Sequence, residues 1–424
     1  MDKRIVTAGL AGNVLEWYDF AVYGYFAAVI GRAFFPAAHP ELSLFLSLGV
    51  FAIGFLARPL GGLYFGAIGD RIGRRHALVV STFMMAIPST LIGVMPSYDS
   101  IGVAAPVALI VCRLLQGASV GGELTSSVTY LLENAPKNRR AFWASFAIVG
   151  AVGGILLGST VAAIMTRVLS EEQIAHWGWR IPFLLGSVIA VSAMYLRRVL
   201  PDDAAPRTEE SSSASTPLLI TVREHWGRLL LTFGIMTFVA VNFYMMYIYL
   251  STFMSDVAGL PRAISLEINT ISMVVLIPMI LLGAWLADQY SAATVMKVSA
   301  GLWIVLAYPL LALLDHPDPR MALAGQFGLT MIFGPYNGVA SYYVALLFPR
   351  AVRMSATSLA SNCCFAILGG TAPMMSTFLV GELGPLSLAW YAIAAGCVGL
   401  GCTIGSSRLR TTGSSVAPQM TLAD

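Results

Sequence analysis

The sequence predicts an all-α membrane protein with twelve transmembrane helices in two pseudo-symmetric six-helix bundles. Hydrophobic residues make up 57% of the 424 residues and charged residues only 11%, and the mean hydropathy is +0.76. A soluble globule of this size would need more charged residues to cover its surface. Apolar runs of about 20 residues, the length that crosses a bilayer, recur along the chain. The net charge of +3 gives no indication of a nucleic-acid partner.

The predicted spans fall into two sets of six, separated by a polar stretch from Pro201 to Pro217. This stretch has the composition of a flexible linker. We therefore expect a six-helix bundle over residues 1–200, a cytoplasmic linker over 201–224, a second bundle over 225–406 and a disordered cytoplasmic tail over 407–424. The spans are predicted near residues 5–35, 43–67, 76–96, 104–133, 141–168, 179–199, 226–254, 265–288, 292–314, 320–347, 351–380 and 386–406.

The distribution of basic residues predicts the orientation. Of the 25 Lys and Arg residues, 18 lie on the side of the N-terminus and five on the other side. By the positive-inside rule both termini are expected in the cytoplasm. The remaining two, Arg58 and Arg113, lie within spans.

The two halves resemble each other. Pro59 precedes a glycine pair and then Asp70 at a helix end, and Pro278 precedes Gly283 and then Asp288 at nearly the same offset. Transporters built from such repeats bind substrate at the repeat interface, near the middle of the membrane. We therefore expect the functional site between the halves.

Two carboxylates, Glu16 and Asp19, lie within the first apolar run. A charge at bilayer depth costs about 2.5 to 3.5 kcal/mol even on insertion scales, so such residues usually face a cavity and mark an ion or proton path. Their spacing of three places them on one helical face. The alternative is a pair of carboxylates at a water boundary.

The other buried charges also lie in the first half: Arg58, Arg113 and Glu123. Counted from the cytoplasmic helix ends, Glu16, Arg58 and Glu123 share a depth of about 14 Å, so they are expected to pair. The long side chain of Arg113 is expected to reach Asp19. A carboxylate with a detachable arginine partner can bind and release a proton as a cavity opens and closes. A static ion-pair network is the alternative.

The second half supplies neutral polar residues that suit substrate recognition. Tyr244 and Tyr247 share a helix face beside Asn242, where aromatic rings could hold a quaternary ammonium group; packing is the other interpretation. Asn337 follows a break at Gly334-Pro335 that could expose backbone to a cavity. The candidate substrate contacts are Tyr23, Arg58, Arg113, Gln116, Asn242, Tyr244, Tyr247 and Asn337.

The segment GAIGDRIGRR, from Gly66 to Arg75, resembles the signature loop of the major facilitator superfamily. Asp70 is expected to dock on the positive N-terminal end of helix 11 as a latch. The second-half copy, AWLADQYSAA, keeps Asp288 but lacks the basic residues, which predicts a latch from the first half alone. A plain positive-inside loop is the alternative. The candidate gating residues are Gly66, Asp70, Arg71, Gly73 and Arg74.

Further segments resemble the metabolite:proton symporter family, whose members carry 2-oxoglutarate, citrate, shikimate, or proline and betaine. They are GNVLEWYDFAVYG, ARPLGG, RLLQGASVGGE, WGWRIPF and LFPRAVRMSATS. The resemblance covers essentially the whole chain. It implies a monomeric, proton-driven importer of the cell inner membrane that works by alternating access. Its partners would be a small-molecule substrate, protons and the lipid bilayer, with no cofactor or metal. Asp19 with Arg113 also resembles the proton-coupling pair of sugar symporters in the superfamily.

Features of the sequence argue against three other classes of function: a drug or metabolite exporter, a membrane enzyme and a sensor with a transporter fold. The signature of drug and metabolite exporters has a Gly-Pro pair in helix 5, and the segment VGAVGGILLGS contains no proline. Its glycines Gly150, Gly154 and Gly158 instead predict close helix contact. A membrane enzyme would need a nucleophile with a base or a metal cluster, and no His or Cys grouping offers one. The osmosensing branch of the family carries a C-terminal coiled coil that this sequence lacks.

Overall fold

The computed structural model is helical almost throughout, and no strand occurs in the residues that it describes. These are residues 3–36, 39–61, 64, 74–121, 123–187, 216–349 and 352–413. Within these ranges, eight helices are long and apolar enough to cross a bilayer. The chain is therefore an integral membrane protein, as its composition predicts.

The helices are numbered α1 to α12 by predicted span. In the first half, α1 is Lys3–Tyr25 continued by Ala27–Phe34, α2 is Pro40–Leu56, α3 is Arg74–Val94, α4 is Ala104–Ser119 with Glu123–Asn134, α5 is Arg140–Val168, and α6 is described over 180–187. In the second half, α7 is Thr216–Tyr244 continued by Met245–Tyr249 and Leu250–Asp256, α8 is Arg262–Gln289, α9 is Ala292–Ala312, α10 is Pro319–Ala345, α11 is Arg353–Cys364 continued by Phe365–Gly369 and Ala372–Leu383, and α12 is Ser387–Gly413.

Two helices extend far beyond their predicted bounds. α7 begins at Thr216, inside the segment expected to be linker, and bends at His225, where the backbone leaves helical geometry (φ −122°, ψ 19°). α12 continues to Gly413, past the apolar run that ends near residue 406. Hydropathy defines only the apolar length of a helix, so polar turns that continue it escape a prediction based on hydropathy.

Small residues bring α1 and α5 together. A Cβ atom at Gly158 would lie only 3.0 Å from the Cβ of Ala21, and one at Gly154 would overlap with the carbonyl oxygen of Val14. The predicted close contact along the glycine stripe of α5 is thus confirmed at these two positions. It holds α1, with both its carboxylates, at a fixed depth against α5.

Three irregular turns shape the centre of the bundle. α2 is interrupted at Ala57, because Pro59 lacks an N–H group and its ring clashes with the preceding turn; Arg58 lies in this kink. α7 and α11 each contain a π turn, which often marks a functional position. These turns, Met245–Tyr249 and Phe365–Gly369, lie beside two aromatic rings that meet, since Tyr244 and Phe365 have centroids 6.2 Å apart.

Candidate functional site

Among the described residues, two arginines and two carboxylates are buried in the first half. Glu16 is 4% exposed, Asp19 1%, Arg58 2% and Arg113 0%. Opposite charges compensate one another, which makes the burial of four charges at bilayer depth tolerable. The side chains divide into two groups, one around Asp19 and Arg113 and one around Arg58.

Asp19 connects to Arg113 through two other side chains. Ser89 of α3 donates a hydrogen bond to Asp19 Oδ2. Gln116 Nε2 of α4 donates to Ser89 Oγ (2.8 Å), and Arg113 Nη1 donates to Gln116 Oε1 (3.0 Å). The expected contact of Arg113 with Asp19 is therefore relayed through Ser89 and Gln116.

Ser89 is the residue of this chain that sequence reasoning missed. Its signal in the sequence is a single serine after Pro88 in an apolar run, and many such serines only bond their own helix. Ser89 Oγ also lies 2.9 Å from the carbonyl oxygen of Met85, so its hydroxyl hydrogen has two alternative acceptors. A Cβ atom at Gly186 would overlap with Asp19 Oδ1. The absence of a side chain at this position therefore provides the space for the Asp19 carboxylate.

The guanidinium of Arg113 is stacked on aromatic rings. Its Cζ lies 4.5 Å from the ring centroid of Phe20 and 4.4 Å from that of Tyr23. These cation–π contacts stabilise a charge that has left water. Two predicted site residues, Tyr23 and Gln116, thus contact a third, Arg113.

The second group surrounds Arg58. Its Cζ lies 5.1 Å from the ring centroid of Trp17, 5.2 Å from Phe55 and 5.7 Å from Phe365. The charge of Glu16 acts on the same guanidinium. Within the described residues, Nε and Nη1 of Arg58 are buried with no hydrogen-bond partner. An acceptor placed beside these two donors would therefore be stabilised.

A narrow cavity lies between the halves beside Arg58. Helix α4 lines it from the first half and α7, α10 and α11 from the second. The lining residues are Arg58, Val120, Gly121, Leu124, Thr125, Val128, Thr129, Met236, Ser341, Ala345, Thr357, Ser361, Asn362 and Phe365. The cavity therefore lies at the repeat interface, where we expect the functional site.

The predicted substrate contacts of the second half are dispersed. Tyr244 lies beside Arg58, as its ring centroid is 5.0 Å from that of Phe55. Tyr247 instead bonds Thr330 in its own half (2.9 Å). Asn242 Nδ2 donates to the carbonyl oxygen of Phe238 in the same helix (2.9 Å).

Two further predictions stay open. Asn337 Nδ2 is buried without a hydrogen-bond partner among the described residues, and Asn337 is not part of the cavity lining. Glu123 begins the second segment of α4, but its side chain lies outside the description. Its expected pairing with Arg58 therefore stays a prediction.

A buried polar network joins the halves towards the predicted outer side. Asn269 Nδ2 of α8 donates to Tyr25 Oη (3.0 Å) and Ser159 Oγ (3.2 Å), both in the first half. Gln326 Nε2 of α10 donates in turn to Asn269 Oδ1 (2.9 Å). The network holds α1 and α5 against α8.

Towards the predicted cytoplasmic side the halves are joined by charges. Asp288 accepts hydrogen bonds from the backbone N–H groups of Ala141 and Phe142, each 2.9 Å long, at the N-terminus of α5. Arg353 of α11 lies 3.6 Å from Glu133 of α4. The expectation that the second-half copy provides no latch is wrong, because a carboxylate at a helix N-terminus needs no basic neighbours to bind.

The first-half latch falls largely outside the described residues. Gly66, Asp70, Arg71 and Gly73 are not among them, and Arg74 is described only as the first residue of α3. The docking of Asp70 on α11 therefore stays a prediction.

Comparisons with known proteins agree with this architecture. Residues 5–205 match the family described as sugar (and other) transporter. A putative proline/betaine transporter of Staphylococcus aureus (strain COL) is 34% identical over 426 residues, covering 98% of this chain and 90% of the relative. The proline/betaine transporter of Escherichia coli (strain K12) is 30% identical over 418 residues, covering 94% and 82%.

Two solved structures share the fold. The xylose transporter XylE from E. coli, in a partially occluded inward-open conformation, aligns with a TM-score of 0.72 at 17% identity, covering 95% of this chain and 98% of that one. A D-xylose-proton symporter aligns with a TM-score of 0.72 at 20% identity, covering 95% and 96%. At these identities the likeness shows the fold alone.

The chain is thus a secondary transporter, not an enzyme, and it belongs to the major facilitator superfamily with its twelve-helix fold. Within the superfamily, the nearly full-length relatives confirm the predicted membership of the metabolite:proton symporter family.

Proposed function

We propose that this transporter is a proton symporter that imports a small carboxylate-bearing metabolite, either an organic acid or a zwitterion such as proline or betaine. It would act by alternating access in the cell inner membrane, as a monomer with both termini in the cytoplasm. The names of the two relatives, both proline/betaine transporters, support the zwitterion as one candidate.

The observation that carries the proposal is the burial of Arg58 beside the cavity and the lack of hydrogen-bond partners, in the described part of the chain, for two of its nitrogens. Its guanidinium lines the cavity between the halves, is buried, and has two nitrogens without a hydrogen-bond partner among the described residues. A carboxylate would supply charge-assisted acceptors for both nitrogens, and such bonds are among the strongest that a protein makes. Xylose and other neutral sugars would not compensate the buried charge.

The chain from Asp19 to Arg113 supports proton coupling. When Asp19 is ionised, Ser89 can donate to it. When Asp19 is protonated, its own O–H can donate to Ser89, whose hydrogen can then turn to the carbonyl oxygen of Met85. Both protonation states thus find hydrogen-bond partners in one geometry, as a proton carrier requires.

Transport by the purified chain in proteoliposomes tests the proposal. An imposed gradient, acid outside, is expected to drive uphill uptake of labelled organic acids, proline or betaine, and a protonophore is expected to abolish it. Matched liposomes without protein measure the passive leak of the labelled substrate. Equal uptake with and without the pH gradient would remove proton coupling from the proposal.

A further inference from the structure

Two helix segments meet across the halves towards the predicted cytoplasmic side. They are Glu123–Asn134, the second segment of α4, and Arg353–Cys364, the first segment of α11. Both line the cavity beside Arg58, and Glu133 Oε1 lies 3.6 Å from Arg353 Nη1 near their cytoplasmic ends. Separation of the two segments would therefore open the cavity to the cytoplasm.

Asn362 joins the segments at the point where α4 is interrupted. The first segment of α4 ends at Ser119, and Gly121 lies in the interruption. Asn362 Nδ2 donates a hydrogen bond to the carbonyl oxygen of Gly121 and another to Ser358 Oγ (3.0 Å). Ser358 Oγ lies 3.5 Å from the same carbonyl oxygen. Because a side-chain amide has only two N–H donors, both are in use in this structure.

Asn362 also belongs to the cavity. It is 6% exposed and lines the cavity together with Arg58. Along α11 it lies between Thr357 and Phe365, and the ring of Phe365 contacts Arg58 at 5.7 Å from Cζ. The Thr357 hydroxyl lines the same cavity and is buried with no hydrogen-bond partner among the described residues. A polar ligand that extends from Arg58 towards Thr357 would therefore pass Asn362.

We propose that Asn362 binds the substrate and that this binding breaks its bond to Gly121. A carboxylate beside Arg58 offers an ionised acceptor, and hydrogen bonds to ionised groups are about twice as strong as neutral ones. The N–H that bonds the Gly121 carbonyl therefore turns to the substrate, and the two segments lose the bond that joins them at the interruption of α4.

This exchange of partners gives the substrate a means to favour opening. A ligand shifts a conformational equilibrium only when it binds one state more tightly than the other. The amide can donate to the substrate only when its bond to Gly121 is broken, so the substrate binds more tightly to the form in which the segments can separate. The inference rests on the proposed function and adds the residue through which binding leads to release into the cytoplasm.

Hydrogen exchange of the full chain in detergent, followed by mass spectrometry, measures the opening of the two segments. Proline, glycine betaine and citrate serve as probes, in acidic buffer that favours the protonated carrier. A saturating probe is expected to speed exchange in peptides covering residues 123–134 and 353–364 by about two- to tenfold, the factor that corresponds to one hydrogen bond.

Asn362→Leu removes the amide with little change in volume. Without a probe, we expect exchange in both segments to be faster than in the unmodified chain by about two- to tenfold, and a saturating probe to add nothing further. Probe affinity, measured by calorimetric titration, is expected to fall about fivefold, the difference between a charge-assisted and a neutral hydrogen bond. Asn362→Ala covers the case in which Asn362→Leu does not fold.

Ser358→Ala is the matched control. Ser358 contacts the same carbonyl oxygen of Gly121, but it does not line the cavity. Its loss is therefore expected to speed exchange in the two segments while the affinity for the probe and the response to it remain. A residue with a purely structural role at position 362 would behave like this control.

The outcomes separate the inference from the proposed function. Equal responses of the unmodified chain and Asn362→Leu to a saturating probe would overturn the inference. An unchanged affinity in Asn362→Leu, or a bound probe that slows exchange or leaves it unchanged in the unmodified chain, would do the same, as would failure of the folded chain to bind any of the three probes. Absence of all pH-driven uptake in proteoliposomes would instead contradict the proposed symport.

Discussion

The carboxylate of Asp19 is the group on which proton coupling depends. It is buried and accepts a hydrogen bond from Ser89. A chain of three hydrogen bonds, through Ser89 and Gln116, links it to the buried guanidinium of Arg113. A proton taken up there reverses the hydrogen bond between Asp19 and Ser89 and leaves the other two bonds of the chain as they are, so no side chain has to move far.

Asp19→Asn removes the proton site while keeping the shape of the side chain. We expect uphill, pH-driven accumulation to be abolished and exchange of labelled for unlabelled substrate to be retained, because exchange needs alternating access but no net proton release. Both are measured in the same proteoliposomes. Glu16→Gln, the matched control, is expected to change affinity through Arg58 and to keep coupling. If Glu16→Gln loses accumulation and Asp19→Asn keeps it, the coupling carboxylate is Glu16.

Ser89→Ala breaks the chain between Asp19 and Gln116. We expect a lower ratio of internal to external substrate under a fixed pH gradient and a smaller loss of exchange. Thr90→Ala is the control, because the neighbouring Thr90 hydroxyl bonds Ala86 and Ser187 on the exposed face. Ser89→Thr, which keeps a hydroxyl, should restore accumulation. An unchanged accumulation ratio in Ser89→Ala would exclude the serine from coupling.

Helices α5 and α8 contact each other along their whole length. Arg167 pairs with Glu267 at one end, Ser159 and Thr270 share a hydrogen bond of 2.7 Å nearer the middle, and Asp288 caps α5 at the other end. Arg167 is more than half exposed, so its ion pair contributes little. The contacts that decide whether this pair opens are thus Asp288 and the buried network around Asn269.

Asp288→Asn keeps an acceptor but removes the charge from the N-terminus of α5. A carboxylate at that position is worth about 0.3 to 1 kcal/mol, and up to about 2 when partly buried, so populations should shift several-fold towards a structure open to the cytoplasm. Spin-label distances between the inner ends of α5 and α8, with the five native cysteines replaced, measure the shift. Glu267→Gln at the exposed outer pair should cause little change. Unaltered distances in Asp288→Asn would show that this cap does not hold the gate.

Asn269→Leu removes the centre of the outer network and leaves Gln326 and Ser159 with fewer partners. Each buried polar group that loses its bond costs about 1 to 3 kcal/mol, so the outer side is expected to open more often. Labels at the outer ends of α1 and α8 should move apart. Asn242→Leu is the matched control, because its side-chain donor bonds its own helix. Opening in Asn242→Leu as well would indicate general destabilisation.

The sequence predicts single elements better than it predicts contacts between them. Apolar length and the Lys and Arg distribution predict helices, because bilayer thickness and insertion act on each segment separately. The relay through Ser89, the network around Asn269 and the cap by Asp288 each depend on which helix faces meet. A lone polar residue in an apolar run indicates a protein-facing side but not its partner. For the same reason the three rings around Arg58, from α1, α2 and α11, could not be predicted from any one segment.

At the scale of the whole molecule, the two arginines and two carboxylates that are buried among the described residues have a consequence for energy supply. Their charges cancel when both acids are ionised, and a proton on Asp19 leaves one positive charge. A bound monocarboxylate neutralises that charge, whereas a bound zwitterion does not. A membrane voltage contributes about 2.3 kcal/mol per charge per 100 mV, so it would assist uptake of a zwitterion and leave that of a monocarboxylate unaffected. A potassium diffusion potential imposed with valinomycin at constant pH would tell the two substrates apart, because only the uptake of betaine with a proton would carry net charge across the membrane.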